Sequence, residues 1–193
     1  MRKFMVLGFL TILGCDQVDD TGSSLWESFL GSPSPESELH LLADIGENLE
    51  GCGWGKAENQ DAIPDRFRQD LFDLIASGDS PSYRVGLRIE KCLDGGDLGD
   101  FRRSTGLFFD VNPDNFIEES IREGVSPERL GEFLASLPLA LVDDPTGQRN
   151  LVMERIGKLE QLQIAEESQI AEDALNALRE HGQLLSDVVE EQE

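Results

Sequence analysis

Side chains suited to acid–base and nucleophilic chemistry are few in this sequence. The chain of 193 residues holds two histidines, His40 and His181, and one tyrosine, Tyr83. No Gly-x-Ser-x-Gly turn is present to raise a serine nucleophile. Adjacent carboxylates are common (Asp19-Asp20, Glu118-Glu119, Asp143-Asp144, Glu166-Glu167), but neighbours at i and i+1 on a helix do not converge on one reacting atom. Asp110-Val111-Asn112-Pro113-Asp114 opens like a calcium loop, with oxygens at alternate positions. The pattern then fails: Asn115 stands where the turn needs glycine, and Ile121 where a bidentate glutamate closes the shell. Gly51-Cys52-Gly53-Trp54-Gly55-Lys56 has the Gly-Lys of a phosphate-binding loop, but Glu50 replaces its first glycine and Ala57 its magnesium-binding hydroxyl. Neither histidine has a cysteine or second histidine at ligand spacing. The expectation is a chain with no cofactor and no metal. An envelope hydrolase working through paired carboxylates is the alternative.

Binding is the other chemistry that these residue types offer. The chain carries 39 Asp+Glu against 16 Lys+Arg, a formal charge of −23. Such a surface repels phosphate and argues against nucleic acid and against docking on anionic lipid. It attracts a basic protein by long-range steering. One local contrast stands out. Arg102-Arg103 is the only adjacent basic pair beyond the N-terminus, and Leu107-Phe108-Phe109 follows shortly after. Arg102, Arg103 and Phe108 are candidate binding residues. Alternatively, the arginines pair with Asp97, Asp100 or Asp110 and Phe108 packs internally.

The elements that must carry these residues are helical. Apolar residues are 39% of the chain, enough for a core. They recur at three- and four-residue steps, as in Phe67, Leu71, Leu74, Ile75 and again in Val85, Ile89, Leu93. Proline follows a capping residue at Ser34-Pro35, Ser80-Pro81, Asn112-Pro113, Ser126-Pro127 and Asp144-Pro145, a helix-start signature. The pattern predicts an all-α domain over 36–193 with about seven helices, near 36–50, 63–77, 81–93, 97–109, 113–124, 127–141 and 145–187, the last broken near Ala165. Residues 16 to about 36 read as a tether whose apolar islands, Leu25-Trp26 and Phe29-Leu30, either dock on the domain or hang loose.

A repeat runs at a step of 32 residues. Pro81, Ile89, Leu98, Gly99, Phe101, Ser104 and Leu107 recur as Pro113, Ile121, Leu130, Gly131, Phe133, Ser136 and Leu139. Units 80–111 and 112–143 would each be a helical hairpin. Stacked hairpins form a short α-solenoid; two similar hairpins in an irregular helical bundle would also satisfy the pattern.

The N-terminus carries an address. Met1-Arg2-Lys3 is basic, Phe4 to Leu13 is an apolar run, and Gly14-Cys15 follows. A basic start, a short apolar stretch and a small residue at the cut describe a signal peptide over 1–14, too short to span a bilayer. Ile12-Leu13-Gly14-Cys15 resembles the lipobox of bacterial lipoproteins. That resemblance implies lipidation of Cys15, a lipidated N-terminus and tether over 15–35, and a membrane-anchored protein facing the periplasm or exterior of a bacterial envelope. With Cys15 acylated, Cys52 and Cys92 remain in an oxidising compartment, as a disulfide or as two buried thiols. A bond between them would close a loop of about 40 residues, worth roughly 3–4 kcal/mol. The sequence thus predicts a lipid-anchored helical module that binds another protein. Cys15→Ser is expected to leave the membrane fraction or to accumulate as uncut precursor; an unmodified mature N-terminus away from Cys15, found by mass spectrometry, would refute the anchor.

Overall fold

Several helices begin where a short polar side chain accepts from an unsatisfied backbone N–H. The computed structural model describes residues 21–48, 63–162 and 169–190. Among them the chain forms nine helices and no strand: α1 (Thr21–Gly31), α2 (Pro35–Asn48), α3 (Asp65–Ala76), α4 (Ser80–Ile89), α5 (Gly95–Val111), α6 (Pro113–Arg122), α7 (Pro127–Ala135), α8 (Pro145–Gln161) and α9 (Gln169–Glu190). The carboxylate of Asp144 accepts from Gly147 N at 2.8 Å, Ser126 Oγ from Arg129 N at 3.3 Å and Asn112 Oδ1 from Asn115 N at 3.4 Å, each directly before a proline. Ser34 Oγ and Ser37 N pair at 3.1 Å at the start of α2, and Ser37 Oγ answers with Ser34 N at 3.0 Å. At α4 the cap is Asp79, one residue earlier than the sequence suggested; it accepts from Ser82 N at 2.8 Å. Gly78, at φ +92°, turns the chain from α3 into that cap, a conformation that an L side chain rarely adopts.

Two boundaries differ markedly from expectation. The tether is shorter: Thr21–Gly31 forms α1, whose Trp26 and Phe29 are buried. The driving force is local, since these two rings lie three residues apart on one helix face, and Trp26 stacks on Phe67 with centroids 6.2 Å apart. The helix expected over 127–141 stops at Ala135, because Pro138 cannot continue it, and a 3₁₀ turn, Leu139–Leu141, follows. The C-terminal segment agrees with expectation: it forms two helices, α8 ending at Gln161 and α9 starting at Gln169, as a break near Ala165 requires.

The helices stack in two rows. In one row α1, α3, α5, α7 and α9 lie side by side; in the other, α2, α4 and α6 do. Each hairpin, α1–α2, α3–α4 and α5–α6, crosses between rows. Contacts to the next helix and the next but one are the arrangement of a solenoid. The last hairpin departs from it: α8 lies chiefly against α9. Aromatic rings fill the space between rows. Phe101 meets Phe133 edge-on at 5.7 Å, and Phe108, Tyr83 and Phe116 form a mutually packed triangle with centroids 5.4–5.6 Å apart.

The repeat equivalence holds at the two phenylalanines, both fully buried, and fails at the glycines. A Cβ on Gly131 would lie 2.9 Å from that of Ala177 on α9, whereas one on Gly99 would meet only the Arg103 guanidinium. It also fails at Leu139, which is exposed where Leu107 is half-buried. The tightest approach is at Gly106, where a Cβ would lie 2.7 Å from the Ser136 carbonyl and 2.9 Å from that of Phe133. In urea denaturation Phe101→Ala and Phe133→Ala are each expected to lose about 3–5 kcal/mol. Gly106→Ala is expected to lose about 1–3 kcal/mol through overpacking, while Gly99→Ala, in an uncrowded helix interior, gains about 0.5 kcal/mol. Equal effects at Gly99 and Gly106 would contradict this packing.

Candidate functional site

Most of the described arginines are spent between elements. Within the first row, Arg66 on α3 pairs with Glu27 on α1 at 3.2 Å, Arg68 on α3 with Asp97 on α5 at 2.6 Å, and Arg102 on α5 with Glu132 on α7 at 2.8 Å. Within the second row, Arg84 on α4 reaches both neighbours. Its Nε and Nη2 donate to Glu38 on α2 at 2.7 and 2.5 Å, and its Nη1 donates to Glu119 on α6 at 2.9 Å. The bond to Glu38 raises the Arg84 guanidinium above the ordinary arginine value against the opposing effect of burial, and Glu119 adds to it. Arg155 on α8, fully buried, forks onto Asp110 of α5 at 2.8 and 2.7 Å and donates to the carbonyls of Leu134 and Ser136 at 2.7 and 2.8 Å. Arg88 pairs with Glu123 at 3.0 Å, Arg179 with Glu160 at 2.6 Å, and Arg129 with Glu90.

What faces outward is therefore mostly acid, and in one place the acid rims apolar surface. A groove of about 560 Å³ runs between α1 and α3, lined by Glu27, Leu30, Gly31, Phe67, Asp70, Asp73, Leu74 and Ser77. The helical period places Asp70, Asp73 and Ser77 along one edge of α3, with Phe67 and Leu74 beside them. Glu27, Asp70 and Asp73 are exposed, Leu30 and Leu74 half-buried. Arg66 lies at one end, its guanidinium 4.5 Å over the Phe67 ring and paired with Glu27. A second hollow of about 310 Å³, between α1 and α2, is lined by Leu25, Glu36, His40 and four serines. Two of those hydroxyls, on Ser34 and Ser37, cap α2.

The candidates chosen from sequence do not form one surface. Phe108 is fully buried against Tyr83 and Phe116. Arg102 is held by Glu132, and Arg103 by Asp100, one turn back on its own helix. The structure thus removes Phe108 from any docking surface, because its ring fills the space between the rows. Cys15 and Cys52 lie outside the described residues. Cys92 follows α4 in a 3₁₀ turn and is disulfide-bonded, to a partner outside the described residues. Among the described residues no group of three or more His, Cys, Asp or Glu is placed to hold a metal ion, and no helix is long and apolar enough to cross a membrane. The groove was not foreseen. Its one sequence signal was the pair of apolar islands in α1, which have to cover something.

Comparison with protein-family models, with curated proteins and with solved structures returns no match.

Tyr83, the only tyrosine, offers a probe of the interior. Its hydroxyl pairs with Ser120 Oγ at 2.8 Å. Burial pushes the phenol well above its ordinary value, and the Ser120 bond only partly offsets this. An unfolded chain ionises its tyrosine near pH 10, whereas the folded one keeps its proton. The unfolded state therefore binds fewer protons above about pH 10, and stability falls as pH rises past that point. Phenolate absorbance is expected to appear together with loss of helical circular dichroism; ionisation near pH 10 in a fully folded protein would contradict the burial.

Proposed function

We propose that this protein is a lipid-anchored module of the bacterial cell envelope that binds a basic protein partner, and that it is not an enzyme. One observation supports the binding role most: arginines are drawn into bridges between helices, so the outer surface keeps an excess of carboxylate. That charge steers a cationic protein and repels nucleic acid, anionic lipid and a second copy of the chain. The anchor is assigned to Cys15 by the lipobox-like residues before it. We assign Cys52 as the disulfide partner of Cys92, leaving Cys15 for the lipid. A hydrolase working through paired carboxylates needs two acids facing each other across a cleft. In the groove Asp70 and Asp73 stand three residues apart along one wall, and Glu27 on the other wall is held by Arg66 at 3.2 Å.

The test is cross-linking of the full-length protein in intact envelopes, followed by detergent extraction and capture at low and at high salt. The expected product is a protein rich in Lys and Arg, retained at low salt and released at high salt. A partner retained equally at both salt concentrations, or an acidic partner, would refute the electrostatic reading.

A further inference from the structure

We propose that the groove between α1 and α3 is the docking site for a cationic amphipathic helix of the partner protein. Its apolar side chains would seat on the half-buried Leu30 and Leu74, and its lysines or arginines would meet Asp70 and Asp73. The proposal rests on the basic-partner reading above and adds the place and the shape of the contact.

Three features select this occupant. The first is form. The groove runs between two adjacent helices, and α1 has 11 residues, about 16 Å, which matches two to three turns of a docked helix. A Cβ on Gly31 would meet nothing within 4 Å, so this end of the groove wall is open. The second is chemistry. The apolar floor is flanked by two exposed carboxylates, Asp70 and Asp73, while Glu27 on the other wall holds the neighbouring cation, Arg66, which also lies over the Phe67 ring. An incoming lysine or arginine finds acids on the rim, while an incoming leucine finds the floor. The third is the whole-chain charge of −23, which sets a second copy, an anionic ligand or an anionic membrane against long-range repulsion.

The experiment uses the full-length protein in detergent and two synthetic peptides of equal charge. One is a Leu/Lys amphipathic helix with leucines at i, i+3, i+4 and i+7; the other is oligolysine. Binding is read by fluorescence anisotropy at low salt. Three variants accompany the wild type: D70K/D73K on the rim, Leu74→Ser on the floor, and D114K/E118K on α6 as a charge-matched control. All substituted positions are exposed or half-buried, and unchanged thermal unfolding by circular dichroism confirms that each variant folds. The amphipathic peptide is expected to bind the wild type about tenfold or more tightly than oligolysine does. D70K/D73K should weaken it at least about tenfold, and D114K/E118K less than about threefold. Leu74→Ser should weaken the amphipathic peptide and leave oligolysine unchanged. If both double reversals weaken binding alike, or if oligolysine binds as well as the amphipathic peptide, the groove assignment is overturned while attraction to basic partners stands. If neither peptide binds at low salt, both are overturned.

Discussion

One guanidinium holds the C-terminal half of the stack together. Arg155 has no exposed surface, and yet its donors find oxygen: two on Asp110 of α5 and two carbonyls, Leu134 and Ser136, at the end of α7. Those carbonyls are acceptors that a helix terminus leaves unsatisfied. Pro138 forces α7 to end there, and the side chain from α8 supplies the missing donor. A buried charge is tolerated only when it is paired and fully hydrogen-bonded, because an uncompensated one costs several kcal/mol. The same demand explains Gly106, since α5 must approach the α7 carbonyls closely enough for Arg155 to serve both helices.

The electrostatic character of the surface follows from this arrangement. A chain with 39 acids and 16 bases could scatter its cations outward and soften its own field. Instead Arg66, Arg68, Arg84 and Arg102 each bridge a helix to its neighbour in the same row. Exposed pairs of this kind contribute little to stability, about 0–1 kcal/mol each. Arg84, which is largely buried and shared by two glutamates, contributes to register, since a slip of either neighbour would strand a carboxylate. Cohesion inside and acidity outside are thus two results of one allocation of charge.

The fold class was legible in the sequence because its signals are local. Helical spacing at Phe67, Leu71 and Ile75, and a capping residue before Pro113, Pro127 and Pro145, operate within a few residues. The structure agrees with them there. The errors lie where distant contacts decide. α1 is rich in Gly and Ser and looked like a tether, but Trp26 finds Phe67, forty-one positions along the chain. Phe108 resembled a surface hot spot because three large apolar residues in a row cannot all face one way; Phe108 and Phe109 both turn inward, onto Tyr83 and Phe116 from other helices, and Leu107 is left half-buried. Beyond the apolar islands of α1, nothing in the sequence pointed to the groove. Its two walls come from different helices, and neither Glu27 nor Asp70 carries a local sign of the other.

Among the described residues the two-row stack begins at α1, which is one of its ends. Helices in the middle of a one-dimensional array are buttressed from both sides, whereas a terminal helix has neighbours on one side only. α1 therefore opens more readily than α5, held by the Trp26–Phe67 stack, its packing on α2 and the exposed Glu27–Arg66 pair. Because α1 is also one wall of the groove, whatever occupies the groove is thermodynamically linked to fraying of the array. A guest that needs both walls tightens the free end, and loosening of the free end weakens its hold on the guest.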